Sequence, residues 1–212
     1  MTQKGKLFLA SMAKDPKSIK DLDKFVGGLK NKSVAYCPTA ANAEQGRGRW
    51  KESETLNIVK SLGLNIEIVE LENFDNEDVV SKFRNKNIIW MAGGYSGYLA
   101  YWLRRFSMET VIPELLKKGA IYVGSSAGSM VCSKTNFASE MFPGEEEKGG
   151  AIIPGLGFID FEIWPHYKEE HMAMLKEKWC YGKLCLLKNG EAITITDGKM
   201  EILGEERFLN QI

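Results

Sequence analysis

Apolar residues along this chain collect into five short, nearly continuous runs before residue 127: KLFLAS, SVAYCPTA, NIEIVEL, NIIWMAGG and AIYVGSS. Runs of this length without polar alternation read as strands buried on both faces. Between them the apolar residues change to a helical period. Ile19, Leu22, Phe25, Val26 and Leu29 fall on one helix face, and Asp15-Pro16 just ahead supplies an N-cap followed by a proline. Leu56, Val59 and Leu62 repeat the spacing, as do Val79, Val80 and Phe83 after a capping Asp75. Tyr98, Leu99, Trp102, Leu103 and Phe106 form a further stripe, followed by Val111, Ile112, Leu115 and Leu116.

Alternation of this kind predicts an α/β three-layer sandwich, with a mostly parallel central sheet flanked by helices. Beyond about residue 150 the pattern changes. GFIDFEIWPHY reads as a strand and loop, EEHMAMLKEKW as a helix, and KLCLLKNGEAITITDGKMEILG as short strands with a turn at Asp197-Gly198. No repeat, linker or low-complexity tract divides the 212 residues, so one domain over 1–212 is expected. In such folds functional groups gather at the carboxyl ends of the strands. There the chain places PTAANAEQGRGRW, read as a long polar loop, then AGGYSG and GSSAGS.

Charge and composition narrow the function. Basic and acidic residues balance at 28 each, without the basic excess of a nucleic-acid binder. The acidic run Glu145-Glu146-Glu147 reads as a solvated loop. No apolar stretch is long enough to span a membrane, and the opening MTQKGKLFLASMAK has too short an apolar core for a signal peptide. A cytoplasmic protein is expected. Cys37, Cys132, Cys180 and Cys185 form no CxxC pair and the chain has two histidines, so neither a zinc site nor another metal or cofactor is expected. The cysteines read as buried thiols.

Candidate chemistry centres on YVGSSAGSMV. The pattern G-x-S-x-G fixes its register on Gly124-Ser125-Ser126-Ala127-Gly128 and puts Ser126 at the centre, between a strand and a helix, as a nucleophile elbow requires. A glycine-rich turn with a capping serine has the same letters; the strand–turn–helix context favours the nucleophile. The amide of Ala127 would then donate to an oxyanion. Ser125 is expected against the sheet or a pocket wall, and Ser129 on the helix. A serine nucleophile needs a base. His166 ends a strand at Pro165 and is well placed for that role, whereas His171 sits in a charged helix and reads as solvated.

The blocks IIWMAGGYSGYL, KKGAIYVGSSAGSMV, EIWPHY and LLKNGEAITITDG, in this order, resemble those of the peptidase E family of serine aspartyl dipeptidases. The resemblance covers most of the chain. It implies a fold like that of class I glutamine amidotransferases and hydrolysis of small peptides by a serine, a histidine and an acid. Carried over, it makes Ser126 the nucleophile and His166 the base. It makes Gly93-Gly94 a second oxyanion element, with Ala92 in place of the first of three usual glycines.

The chain departs from that pattern twice. Where the family has its acid, before a glycine, this sequence has Asn189 before Gly190. Asparagine brings no charge to stabilise an imidazolium, although its amide oxygen can orient the ring. Glu191 and Asp160 are the alternative carboxylates. The family's substrate-binding arginine, downstream of the histidine, is also missing from KEEHMAMLKEKW. Lys176 or Lys178, or Arg47 and Arg49 of the long loop, are the remaining cations, and none repeats the arginine at its position. This argues against cleavage after aspartate. The expectation is a serine-type peptidase of small peptides, monomeric or homodimeric. The alternative is a weak or inactive relative that binds peptides or a regulatory partner.

Overall fold

A computed structural model describes residues 5–75, 78–143 and 146–210 of the chain. In chain order its strands are β1 Lys6–Ala10, β2 Ser33–Cys37, β3 Asn65–Ile68, β4 Ile88–Met91, β5 Ile121–Ser125, β6 Glu162–Trp164, β7 Lys183–Leu186, β8 Ala192–Thr196, β9 Lys199–Leu203 and β10 Phe208–Asn210. The helices are α1 Pro16–Val26, α2 Thr39–Gln45, α3 Glu54–Ser61, α4 Asp78–Phe83, α5 Ser96–Arg105, α6 Met108–Lys117, α7 Ala127–Met130 and α8 His171–Lys178.

Seven strands form the main sheet in the order β3-β2-β4-β5-β1-β8-β9. The first five are parallel, and β8 and β9 are antiparallel additions beside β1. A second sheet runs β10-β7-β6. The expected α/β architecture with a mostly parallel sheet is the one observed.

Successive residues of one strand enter different cores, which explains the uninterrupted apolar runs. Leu7 and Leu9 of β1 pack with Leu99, Leu103 and Ile112 of α5 and α6. Phe8 and Ala10 pack with Leu22 of α1 and with Leu56 and Val59 of α3. A smaller core joins Trp164 and Leu186 to Leu175 and Trp179 around α8. At α1, Asp15 accepts from the Lys17 amide at 2.9 Å and Pro16 occupies the first turn, as the sequence predicts. The 197–198 turn has positive φ at both Asp197 (49°) and Gly198 (82°), the twist that suits a two-residue hairpin.

Several elements differ from expectation. Of NIEIVEL, Asn65–Ile68 form an edge strand whose four residues are exposed or half-buried, because only β2 flanks it, whereas Val69 and Leu71 beyond it are buried. The segment after β2 is not an irregular loop. Its alanine-rich start forms α2, and Arg49–Glu52 make a 3₁₀ turn. Alanine has the highest helix propensity, and Gly46 and Gly48, both at positive φ, interrupt the helix. The capping assigned to Asp75 and the start of the acidic run at Glu145 involve residues outside those described. Cys37, Cys132 and Cys185 are buried thiols, each pushed up to about 12 chiefly by burial, whereas Cys180 is exposed.

One glycine of the elbow is fixed by packing. A Cβ on Gly128 would fall far inside contact distance of the Met91 carbonyl oxygen. Tyr122 Oη also donates to the Gly128 carbonyl at 2.6 Å. Gly128→Ala is therefore expected to destabilise the fold by about 3 kcal/mol, since the close neighbour is rigid backbone. Chemical denaturation of the two proteins checks it.

Candidate active site

The turn after β5 gives Ser126 an unusual backbone. Its φ of 50° and ψ of −112° lie outside the regions that a side chain normally adopts. Strain of this kind costs about 1–3 kcal/mol and persists only where its surroundings hold it. Here the Ser126 amide donates to the Ala10 carbonyl at 3.1 Å, and the Ser129 and Met130 amides donate back to the Ser126 carbonyl. The neighbouring serines are engaged elsewhere. Ser125 Oγ accepts from the Ala13 amide at 3.0 Å, and Ser129 Oγ donates to the Ala10 carbonyl at 2.8 Å. Ser126, half-buried, lines a cavity of about 210 Å³ at the carboxyl end of the sheet.

His166 reaches this serine from the end of β6. Its Nε2 lies 3.0 Å from Ser126 Oγ, and its Nδ1 lies 2.7 Å from Asn189 Oδ1. With the ring proton on Nδ1, that nitrogen donates to Asn189 and Nε2 is left to accept from the serine hydroxyl. Glu191 is turned away. Both its oxygens accept from the Arg207 guanidinium, at 2.7 and 3.2 Å, and from the Lys188 and Glu205 amides. Burial opposes its ionisation, but Arg207 and the amides outweigh burial and hold its carboxyl below the usual range. Asp160 is exposed. The ring nitrogens of His166 meet Ser126 and Asn189 instead of either carboxylate.

Ser11, at the end of β1, went unnoticed in the sequence. It is 0 % exposed, accepts from the His166 amide at 2.8 Å and donates to Asn189 Oδ1 at 3.3 Å. The strand-end rule applied to β2, β4 and β5 would also have pointed to it.

Gly93 and Gly94 border the same cavity. A Cβ on Gly93 would lie 3.4 Å from Ser126 Cβ, so this backbone passes close to the serine. Gly94, at φ 129°, lies so close to the backbone of Ala40 and Ala41 that it has no room for a Cβ. Ala127 is 0 % exposed and its side chain is not part of the lining; the oxyanion role needs only its amide.

The structure does not bring the predicted cations here. Arg47, Arg49 and Lys176 are exposed and outside the lining; Arg47 donates to Asn73 Oδ1 at 2.5 Å. Lys14 lines the cavity instead, paired with Glu54 at 2.7 Å. Glu147 also lines it, so the reading of the acidic run as a solvated loop fails there. Its carboxylate accepts from the Gly97 and Tyr98 amides at the start of α5, at 2.8 and 2.7 Å. Burial pushes its pKa up, against these amides and that of Ser96. Nothing local in the sequence signals a contact spanning 50 residues.

His171 is not simply solvated either. Trp164 Nε1 donates to its Nδ1 at 3.1 Å, and burial lowers its pKa from 6.5. The bond requires an unprotonated Nδ1. Below about pH 6.5 the unfolded chain takes up a proton that the folded form resists, so this contribution to stability is lost as pH falls. His171→Phe should therefore show a smaller loss of Tm than the parent protein between pH 7.5 and 5.5.

Among the described residues, no group of three or more His, Cys, Asp or Glu could hold a metal ion, and no helix is long and apolar enough to cross a membrane. A family model described as Peptidase family S51 matches residues 7–203. An uncharacterized peptidase of Listeria monocytogenes is 26 % identical over 195 residues, covering 89 % of this chain and 93 % of the relative. A peptidase E of Shewanella amazonensis is 27 % identical over 111 residues, covering 52 % of this chain and 44 % of that one. In fold the chain is similar to a crystal structure of a Listeria monocytogenes EGD-e protein assigned to peptidase E. The TM-score is 0.76 at 24 % identity, covering 93 % and 97 % of the two chains.

Proposed function

Because the chain belongs to peptidase family S51 and is a serine-type peptidase, we propose that Ser126, His166 and Asn189 are its catalytic residues and that it hydrolyses small peptides. The observation that carries this is the continuous path from Asn189 Oδ1 through both ring nitrogens of His166 to the hydroxyl of a strained, cavity-lining serine.

In this reading Ser126 Oγ attacks the scissile carbonyl carbon while His166 Nε2 takes its proton. The oxyanion receives hydrogen bonds from the Ala127 amide and from the Gly93-Gly94 turn. Preorganised donors of this kind are worth about a hundredfold or more in turnover each. The imidazolium then protonates the leaving amine, an acyl-enzyme remains, and water activated by His166 releases the acid. Asn189 orients the ring but supplies no countercharge, which supports slow turnover. A cavity of about 210 Å³ suits a short peptide better than a folded protein segment. Specificity for aspartyl side chains is not part of this reading, since Arg47, Arg49 and Lys176 stand outside the cavity.

The test is hydrolysis of a dipeptide and tripeptide panel, together with labelling by a fluorophosphonate probe. Turnover and labelling that both vanish in Ser126→Ala support the proposal. A protein that is neither labelled nor active, yet binds peptides, would establish the second reading, a non-hydrolysing relative. The asparagine in the acid's place is the observation that favours it.

A further inference from the structure

Part of the cavity wall is not used by the catalytic residues. Met12, Tyr36, Pro38, Ala41 and Trp50 line it there. Tyr36, Ala41 and Trp50 belong to the apolar cluster that packs against α1 and α3, whereas Met130 and Phe142, elsewhere in the lining, belong to the cluster around α8. The first flank is therefore mostly apolar and lies on one side of the main sheet. Lys14 and Glu44 also line the cavity, but Lys14 is paired with Glu54 at 2.7 Å and Glu44 is not free either. Neither is a spare partner for an ionic side chain.

Tyr36, the penultimate residue of β2, gives this flank a neutral polar group and is 2 % exposed. Its hydroxyl has no hydrogen-bond partner among the described residues. The indole nitrogens of Trp50 and Trp90 are also unpartnered but are sealed from solvent, whereas the Tyr36 hydroxyl keeps accessible surface in a residue that lines the cavity. Native structures rarely leave such a group unpaired without a ligand or water to explain it. Burial, with Cys37 beside it, pushes the pKa of the phenol up, so it stays protonated and can donate as well as accept. β4 lies between β2 and β5, which sets the backbone of Tyr36 about 10 Å, two strand spacings, from the strand that carries the elbow. The scissile carbonyl is held at Ser126 and the Gly93-Gly94 turn, so the group that meets Tyr36 comes from another part of the peptide. An apolar wall with a neutral hydrogen-bonding group complements a side chain of the same make, with an apolar body and a polar tip.

We propose that this flank is a side-chain subsite for a neutral, tyrosine-like residue of the peptide, and that Tyr36 sets its selectivity by a hydrogen bond to the tip of that side chain. This rests on the peptidase reading for the identity of the ligand as a peptide, but its test does not depend on turnover. A site whose polar group is paired by the ligand's hydroxyl discriminates against the analogue that lacks it, because the group is then left unpaired. The side chain belongs either to the residue that supplies the scissile carbonyl or to the residue that leaves.

The experiment is calorimetric titration of the full chain carrying Ser126→Ala with five dipeptides: Tyr-Ala, Phe-Ala, Ala-Tyr, Ala-Phe and Ala-Ala. In one of the two positions we expect tyrosine to bind at least about fivefold more tightly than phenylalanine, the net effect of one hydrogen bond. In that position phenylalanine should in turn bind at least about tenfold more tightly than alanine, because its ring is buried against the apolar wall. The position in which this order appears identifies the residue held. Adding Tyr36→Phe should abolish the preference for tyrosine over phenylalanine, an effect that a merely structural role of the hydroxyl would not produce. If that variant does not fold, the comparison of peptides on the Ser126→Ala protein carries the test. Equal binding of tyrosine and phenylalanine in both positions, a preference that survives Tyr36→Phe, or binding of no peptide overturns the proposal. Failure of the peptidase reading is separate: it would appear as tyrosine-selective binding in a protein whose parent hydrolyses nothing.

Discussion

Ser126→Ala is expected to lower peptide turnover by at least about a thousandfold while leaving the melting temperature within a few degrees of the parent. The rate effect follows from losing the attacking oxygen. When members of such a catalytic unit are removed singly, losses of about ten-thousandfold to a millionfold are typical, and an Asn-supported histidine starts from a lower parent rate. The stability effect follows from the backbone. Ser126 holds its position through its own amide and carbonyl, which alanine retains, and the hydrogen-bond partner of its hydroxyl among the described residues is His166. Alanine at φ 50° keeps whatever strain serine bears there. The check is steady-state hydrolysis of the preferred peptide beside a thermal melt. Full activity in Ser126→Ala with loss in Ser125→Ala would overturn the register. That outcome would have to be reconciled with Ser125 Oγ being committed to the Ala13 amide.

The parts of this arrangement that sequence makes legible are those fixed by local chemistry. The runs around Leu7, Val34, Ile89 and Tyr122 read as strands because both of their faces are buried. The Asp15-Pro16 cap and the Asp197-Gly198 turn read correctly because each depends on a few adjacent residues. The elbow is legible for the same reason: its small residues are demanded by backbone approach, as Gly128 against Met91 illustrates. The remainder depends on distance. β10 escaped because Phe208–Asn210 is three residues long and becomes a strand only by pairing with Lys183–Cys185. NIEIVEL looked fully buried because its composition does not reveal that it would lie at an edge. The contacts of Ser11 with Asn189 and of Glu147 with α5 join residues 178 and 49–50 positions apart, and no periodicity announces them.

Asn189→Asp is expected to raise turnover by about a hundredfold, and Asn189→Ala to lower it. A carboxylate at this position stabilises the imidazolium that forms when His166 takes the serine proton, which an amide does only weakly. In a well-studied serine protease the reverse exchange costs about ten-thousandfold, largely through the wrong ring tautomer. The gain here should be smaller for two reasons. Asn189 is exposed, so water screens the new charge. Ser11 already assists the productive tautomer: its buried hydroxyl donates to Asn189 Oδ1, which keeps the amide oxygen towards His166 Nδ1 and the ring proton on that nitrogen. The same argument predicts a coupling. Ser11→Ala should slow the parent protein, because the amide is then free to turn its NH₂ towards the ring and leave Nε2 protonated. In the Asn189→Asp background the same change should matter much less, because a carboxylate has no donor end to present. Measuring turnover in the four proteins of this cycle tests both statements. An Asn189→Ala variant as fast as the parent would remove Asn189 from the catalytic set. An equal effect of Ser11→Ala in both backgrounds would show that Ser11 acts on His166 through its backbone contact alone.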